Sequence, residues 1–92
     1  METELPISVL LVDDHEMVRI GLAAVLGTEE GIEVVGEAGS GEEGIRLASE
    51  YKPNVILMDL VMDGMDGIET TRQVTRLLPE TKVIVLTSYL DD

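Results

Sequence analysis

Acidic side chains follow two apolar runs of this 92-residue sequence, at the point where each run ends. Asp13 and Asp14 follow the run ISVLLV at 7–12, and Asp59 follows the run VILM at 55–58. Continuous apolar runs of this length are typical of strands that are covered on both faces, as in a parallel sheet. Because open parallel sheets bind ligands beyond the carboxyl ends of their strands, the three carboxylates are predicted to share one site.

The predicted site would crowd carboxylates together, and such groups repel one another unless a cation offsets their charge. The chain has no cysteine and a single histidine, His15, so its ligands would be oxygens, which favour Mg²⁺ or Mn²⁺ over Zn²⁺. Thr87 ends another apolar run, KVIVL at 82–86, and its hydroxyl would reach the same edge. This combination predicts phosphoryl chemistry on a carboxylate, with the metal cancelling charge between an anionic nucleophile and an anionic donor. Since Mg²⁺ prefers oxygen, His15 is interpreted as a partly exposed residue of a first helical turn.

The elements that must position these residues alternate between strands and helices. The predicted strands cover 7–12, 32–38, 55–58 and 82–86, and the predicted helices cover about 15–27, 41–51 and 68–78. Alternation at this spacing favours right-handed βαβ units and a parallel sheet with helices on both faces. The polar alternation of the second strand suits an edge position.

The helix ends carry recognisable boundary signals. Asp14 is the predicted N-cap of the first helix, and Gly27 is its predicted stop. Ser40 with Glu43 forms a capping-box pattern at the start of the second helix. Pro79 follows the third helix, as expected after a helix end. The first helix also carries an apolar stripe at helical spacing, formed by Val18, Leu22, Val25 and Leu26.

The composition limits the classes of function. With 19 acidic and 6 basic residues the net charge is −13, which argues against direct nucleic-acid binding because a phosphate backbone requires a basic surface. Hydrophobic residues make up 45% of the chain and aromatic residues 2%, so the core must be aliphatic. No apolar stretch approaches the roughly 20 residues of a membrane span. The start METELP lacks the pattern of a signal peptide, so a cytoplasmic domain is predicted.

Three sequence segments together resemble the receiver domain of two-component response regulators: VDDH at 12–15, ILMDLVMDGMDG at 56–67 and VLTS at 85–88. The resemblance covers essentially the whole chain. The segments VDDHEMVRIGL and GEAGSGEEGI are most similar to LuxR-type (NarL-type) transcription factors, in particular regulators of cell-envelope stress in Gram-positive bacteria. The resemblance implies an α/β, doubly wound, flavodoxin-like fold with strand order 2-1-3-4.

The resemblance also implies a role for each matching residue. Asp59 would be the phosphoacceptor, taking a phosphoryl group from the phosphohistidine of a sensor histidine kinase. Asp14 would bind Mg²⁺ directly, Asp13 would bind it through a water molecule, and the backbone carbonyl of Val61 would be a further ligand. Thr87 would donate a hydrogen bond to the phosphoryl group and act as a switch. The chain would therefore be a phosphoprotein and not an enzyme.

The sequence departs from the family pattern in two places. Asp63 stands where the loop after the acceptor usually has a proline. The lysine that ends a fifth strand in receivers has no counterpart, because Lys52 and Lys82 belong to the opposite end of the sheet. Residues 1–92 are therefore expected to form an incomplete receiver, without the fifth strand, the last helices or a DNA-binding domain.

Partners and output follow from the same resemblance. The open apolar edge of the fourth strand is expected to pair with a second copy of the chain, by simple dimerisation or by domain swapping. In a longer parent protein, phosphorylation would control dimerisation and then transcription through a C-terminal helix-turn-helix domain. No membrane partner and no direct nucleic-acid contact of this chain are expected.

Other function classes remain as alternatives. A Mg²⁺-dependent phosphatase with an aspartyl nucleophile usually has a second acid two residues further on, where this chain has Val61. The glycines of 39–44 match a dinucleotide fingerprint, but Glu42 and Glu43 would repel a pyrophosphate from the helix start. A phosphorylation-independent interaction domain stays open because the family's lysine is missing.

Overall fold

Strands and helices alternate along the whole of the described chain. The computed structural model describes residues 6–62 and 64–86. The strands are β1 Ile7–Val12, β2 Ile32–Ala38, β3 Val55–Asp59 and β4 Lys82–Leu86. The helices are α1 Glu16–Gly27, α2 Gly41–Tyr51 and α3 Gly67–Leu77. Each predicted element is present, with boundaries that differ from the prediction by one or two residues at most.

The four strands form one parallel sheet in the order β2-β1-β3-β4. This confirms the doubly wound, flavodoxin-like fold and the edge position of β2. The strand order reverses between β1 and β3, which is where open α/β sheets bind their ligands. Val12 pairs with Met58 in the register of these two strands, so the residues that follow, Asp13 and Asp59, emerge side by side.

The main hydrophobic core lies between the sheet and the helices α2 and α3. Its buried members are Leu10, Val12, Ala38, Ala48, Ile56, Met58, Met62 and Val74. On α3 the fully buried Thr70 donates its hydroxyl hydrogen to the carbonyl of Asp66 at 2.8 Å. Gly41 at the start of α2 lies so close to Thr70 that a Cβ there would collide with the threonine hydroxyl. The absence of a side chain at Gly41 lets the two helices approach each other.

Helix α1 covers the opposite face of the sheet and packs less closely. It contributes no fully buried residue, although Val9 and Leu11 beneath it are buried. The predicted apolar stripe is only half right, since Val18 is 47% exposed and Val25 is 63% exposed. Periodicity identifies an apolar face but not what covers it, and among the described elements α1 contacts β1 and β2. None of the helices within the described ranges is long and apolar enough to cross a membrane.

The helix starts show one difference from the sequence analysis. Ser40 accepts a hydrogen bond from the Glu43 backbone N–H at 3.1 Å, which confirms the predicted cap of α2. The N-cap of α1 is His15 and not Asp14, so that prediction was wrong. The physical reason is a tight turn in which the Asp13 carboxylate accepts the His15 backbone N–H at 2.8 Å and moves the helix start one residue on.

Polar side chains join the strands at the amino edge of the sheet. Asn54 Oδ1 accepts hydrogen bonds from the Ser8 N–H at 2.8 Å and from the Ser8 hydroxyl at 3.0 Å. The Asn54 N–H in turn donates to the Ser8 hydroxyl oxygen at 2.9 Å. The Thr81 hydroxyl donates to the Pro53 carbonyl at 2.8 Å. These bonds tie β1, β3 and the turn before β4 together.

Candidate metal centre

The carboxyl ends of β1 and β3 carry the acidic side chains that were predicted to share one site. Asp13 is 7% exposed and Asp59 is 3% exposed, while Asp14 is half-buried. The turn after β3 is held against the start of α3, because the Gly67 N–H donates to the Leu60 carbonyl at 3.1 Å. A Cβ at Gly67 would collide with the Asp59 carbonyl oxygen. The backbone under Asp59 is therefore fixed by a close approach that only glycine permits.

His15 lies among the carboxylates, with its Nδ1 close to an oxygen of each. The distances from Nδ1 are 2.9 Å to Asp13 Oδ1, 3.1 Å to Asp14 Oδ1 and 3.5 Å to Asp59 Oδ2. The hydrogen bond with Asp13, followed by the negative charge of Asp14, raises the pKa of His15 above its usual range. The raised pKa favours the protonated imidazole, which would bring positive charge to an otherwise acidic cluster.

Asp59 is the most buried carboxylate of the cluster, and its two oxygens have different surroundings. Oδ1 accepts the Val61 backbone N–H at 3.1 Å. Oδ2 is buried and accepts no hydrogen bond from the residues that the structure describes. Burial is the main cause that raises the pKa of Asp59, and the charges of Asp13 and Asp14 add to it. The Val61 N–H and His15 act in the opposite direction. An ionised Asp59 therefore gains from any cation that reaches Oδ2.

Arg19 reaches back from α1 to the same turn. Its Nη1 donates to the Asp13 carbonyl at 2.7 Å, and its Nε lies 3.4 Å from Glu37 Oε1. The contact holds the Asp13 backbone next to the start of α1. The sequence analysis did not identify Arg19 as part of the site. The available signal was its position in the first turn of the helix that follows Asp13, from which a long side chain can return to the strand end.

The donor set fits a divalent cation. Asp13, Asp14, His15 and Asp59 each offer one ligand atom, and these atoms lie within 4.8 Å of one another. Most of the donors are carboxylate oxygens, as hard cations such as Mg²⁺ prefer. The buried Oδ2 of Asp59, with no hydrogen bond from the described residues, supplies an oxygen that a cation would satisfy. This arrangement is compatible with a site for one divalent ion.

The structure describes all of the predicted site residues except Thr87. Asp13, Asp14 and Asp59 come together at one edge of the sheet, as their strand positions required. Val61 adjoins them through its N–H, and the metal-binding role of its carbonyl stays a prediction. Thr87 lies outside the described residues, as does Asp63, so the role of Thr87 also stays a prediction. The exposed position of His15 at the start of α1 agrees with the sequence analysis, whereas the approach of its Nδ1 to all three carboxylates was not predicted.

The sequence of this chain matches a known protein family and is similar to known regulatory proteins. Residues 9–92 match the family described as "Response regulator receiver domain". The chain is 65% identical over 86 residues to the transcriptional regulatory protein LiaR of Bacillus subtilis, covering 94% of this chain and 41% of that protein. It is 58% identical over 88 residues to the response regulator protein VraR of Staphylococcus saprophyticus, covering 96% of this chain and 42% of that protein.

A solved structure shows the same fold. The crystal structure of a LuxR-family two-component response regulator from Aurantimonas sp. SI85-9A1 superposes with a TM-score of 0.86 at 33% identity. The superposition covers 92% of this chain and 61% of that one. The chain spans less than half the length of LiaR and VraR, the two curated relatives described above.

Proposed function

This chain belongs to the family of response regulator receiver domains, and we propose that it is a phosphoacceptor switch with Asp59 as the acceptor. One observation carries the proposal: Asp59 Oδ2 is buried within the acidic cluster and accepts no hydrogen bond from the described residues. In the proposed reaction a carboxylate oxygen of Asp59 attacks the phosphorus of a sensor kinase phosphohistidine. The new bond is an acyl phosphate, the phosphorus–nitrogen bond breaks, and the histidine leaves with the bonding electrons.

A divalent cation, Mg²⁺ or Mn²⁺, would be held by Asp14 directly, by Asp13 through a water molecule, by Asp59 and by the Val61 carbonyl. When bound, such an ion supplies the positive charge that lets an anionic nucleophile approach an anionic donor. Thr87 would donate a hydrogen bond to the phosphoryl oxygens. The Asp13 and Asp14 positions support this assignment because both lie at the strand end next to Asp59.

The protein is proposed to hold its phosphoryl group and not to turn over substrate. Two residues after Asp59, where aspartyl phosphatases carry a general acid, the exposed Val61 offers only an apolar side chain. Residues 1–92 would thus act as the receiver part of a signalling protein. Its partner would be a sensor histidine kinase, and its site of action would be the cytoplasm.

The output would be a change of assembly. Phosphorylation would shift an equilibrium between two packings of the region around β4. Ile84 and Val85 of β4 are 50% and 43% exposed, and among the described strands β4 pairs only with β3. A second copy of the chain is the proposed occupant of this edge, by dimerisation or by domain swapping. In a longer protein the dimer would bind promoters through a helix-turn-helix domain, in keeping with the name of LiaR, a transcriptional regulatory protein.

Intact mass spectrometry after incubation with Mg²⁺ and a small phosphodonor tests the proposal. The wild-type chain is expected to gain one phosphoryl group, and Asp59→Asn to gain none. Asp66→Asn is the matched control, because Asp66 caps α3 outside the cluster and asparagine is an equally good cap. This control should be phosphorylated like the wild type. A wild-type chain that is folded, binds Mg²⁺ and gains no mass would contradict the proposal.

A further inference from the structure

His15 stands among the carboxylates in the position of an additional ligand. Resting on the cation site of the proposed function, we propose that His15 Nδ1 is a nitrogen ligand of that site. Through it, the site selects borderline divalent cations such as Zn²⁺ and Ni²⁺ more strongly than its carboxylates alone would.

The distances from His15 Nδ1 place it where a ligand of the same ion would stand. Two ligands of one small divalent ion, each about 2.1 Å from it, lie about 3 Å apart when adjacent and at most about 4.2 Å apart. His15 Nδ1 lies 2.9 Å, 3.1 Å and 3.5 Å from oxygens of Asp13, Asp14 and Asp59. These separations match adjacent ligands on one ion, so Nδ1 stands where a further donor would stand.

The backbone holds His15 in this position. Its N–H donates to Asp13 Oδ1 at 2.8 Å, and its carbonyl accepts the Arg19 N–H at 3.0 Å as α1 begins. The Arg19 side chain donates to the Asp13 carbonyl at 2.7 Å. The backbone of the turn at 13–15 is therefore held at both ends. Little backbone freedom remains to be lost when an ion binds, which favours affinity.

A second, independent feature points to a ligand at the same place. Asp59 is 3% exposed, and its Oδ2 accepts no hydrogen bond from any described residue although it is buried. A buried carboxylate oxygen without a donor gains from a cation. Because His15 Nδ1 lies 3.5 Å from this oxygen, an ion placed between them would bind both.

The chemical consequence is a change in selectivity. Mg²⁺ is a hard ion that prefers oxygen, whereas imidazole nitrogen suits Zn²⁺, Ni²⁺ and Cu²⁺. A site with carboxylates alone would favour hard ions such as Mg²⁺. Adding the imidazole should tighten the binding of Zn²⁺ and Ni²⁺ much more than that of Mg²⁺.

Metal titrations of the wild-type chain and of His15→Asn test the inference. Asparagine keeps an N-cap and a hydrogen-bonding amide close to the position of Nδ1, but it removes the imidazole. The affinities for Zn²⁺, Ni²⁺ and Mg²⁺ are measured at one fixed pH on the tag-free chain. In His15→Asn the ratio of Zn²⁺ to Mg²⁺ affinity is expected to fall at least about tenfold. Asp14→Asn is the control, and it should weaken the binding of all three ions.

Nitrogen-15 NMR of the imidazole supplies a readout that affinity alone cannot give. His15 is the only histidine of the chain, so every imidazole signal belongs to it. Zn²⁺ should shift Nδ1. A shift at Nε2 alone, or an unchanged affinity ratio in His15→Asn, would overturn the inference while leaving the Mg²⁺ site intact. If the wild type failed to bind Mg²⁺, the proposed function would fail instead, and the Zn²⁺ comparison would still decide the role of His15.

Discussion

The amino edge and the carboxyl edge of the sheet, where the strands begin and end, carry polar groups of opposite character. At the amino edge the polar groups that bond to one another are neutral and complementary, with Ser8 and Asn54 exchanging hydrogen bonds at 2.8–3.0 Å and Thr81 bonded to the Pro53 carbonyl at 2.8 Å. Donor and acceptor meet in each of these contacts. This edge therefore stabilises the fold without any added ligand.

At the carboxyl edge, side chains of the same charge are held close together. Asp13 and Asp59 are buried side by side with Asp14, and burial and mutual repulsion raise the pKa of Asp59. A protonated His15 would offset only part of this charge. The arrangement costs stability in the absence of a cation, and it is compatible with a site for one divalent ion. The contrast is that neutral hydrogen-bonded groups stabilise one edge of the sheet, whereas the other edge carries an acidic cluster that is compatible with a cation.

The largest expected effect comes from the backbone under the acidic cluster. Gly67→Ala is expected to lower the free energy of unfolding by about 3 kcal/mol, because its Cβ would meet the Asp59 carbonyl and lie 2.6 Å from Leu60 Cα. Urea denaturation measures this change. Gly21→Ala in α1 is the control, since no atom lies within 4 Å of the added Cβ, and it should stabilise the chain by about 0.5–1 kcal/mol. Equal effects of the two changes would mean that the carboxyl edge is not held rigidly.

At the amino edge, Thr81→Val should have the next largest effect. It removes the hydroxyl that donates to the Pro53 carbonyl in a buried position, at a cost of about 1–2 kcal/mol in the free energy of unfolding. Thr81→Ser keeps the hydroxyl and should retain most of that energy. Mg²⁺ affinity is expected to be the same in both variants. A loss of Mg²⁺ affinity in Thr81→Val would show that the two edges are coupled and not independent.

The smallest effect has the opposite sign. In the metal-free protein, Asp59→Asn should raise the free energy of unfolding by about 1 kcal/mol at neutral pH, because it removes a buried charge next to two others. Added Mg²⁺ should stabilise the wild type and not the variant. Thermal unfolding with a chelator and then with Mg²⁺ measures both parts.

The pH dependence of this difference follows from the direction of the Asp59 shift. The folded-state pKa is raised above the unfolded value, mainly by burial, so the folded state binds the proton more tightly. The contribution of Asp59 to stability is present at low pH and is lost as the pH rises through the folded pKa. The gain from Asp59→Asn should therefore appear only as the pH rises. A gain that is constant from acid to neutral pH would refute this explanation.

Much of the fold and part of the site could be predicted from the sequence. The apolar runs that end on Asp13 and Asp59 gave β1 and β3, because a strand buried on both faces requires continuous apolar residues. Parallel pairing then brought these residues to one edge. The prediction of Asp14 as the N-cap of α1 was wrong. Asp14 and His15 both lie next to the helix start, so the sequence alone does not choose between them. The choice between them depends on the hydrogen bond from the His15 N–H to Asp13.

The sequence by itself determined the order of the elements, the edge at which the carboxylates meet and the oxygen-rich composition of the candidate site. These features depend on local patterns and on the general rules of parallel sheets. Only the tertiary structure decided that His15 Nδ1 lies within 3.5 Å of an oxygen of each of the three carboxylates and that Arg19 holds the Asp13 carbonyl. It also decided that α1 stays largely exposed. The direction of a side chain depends on the turn and the neighbours around it, and those neighbours are distant in sequence.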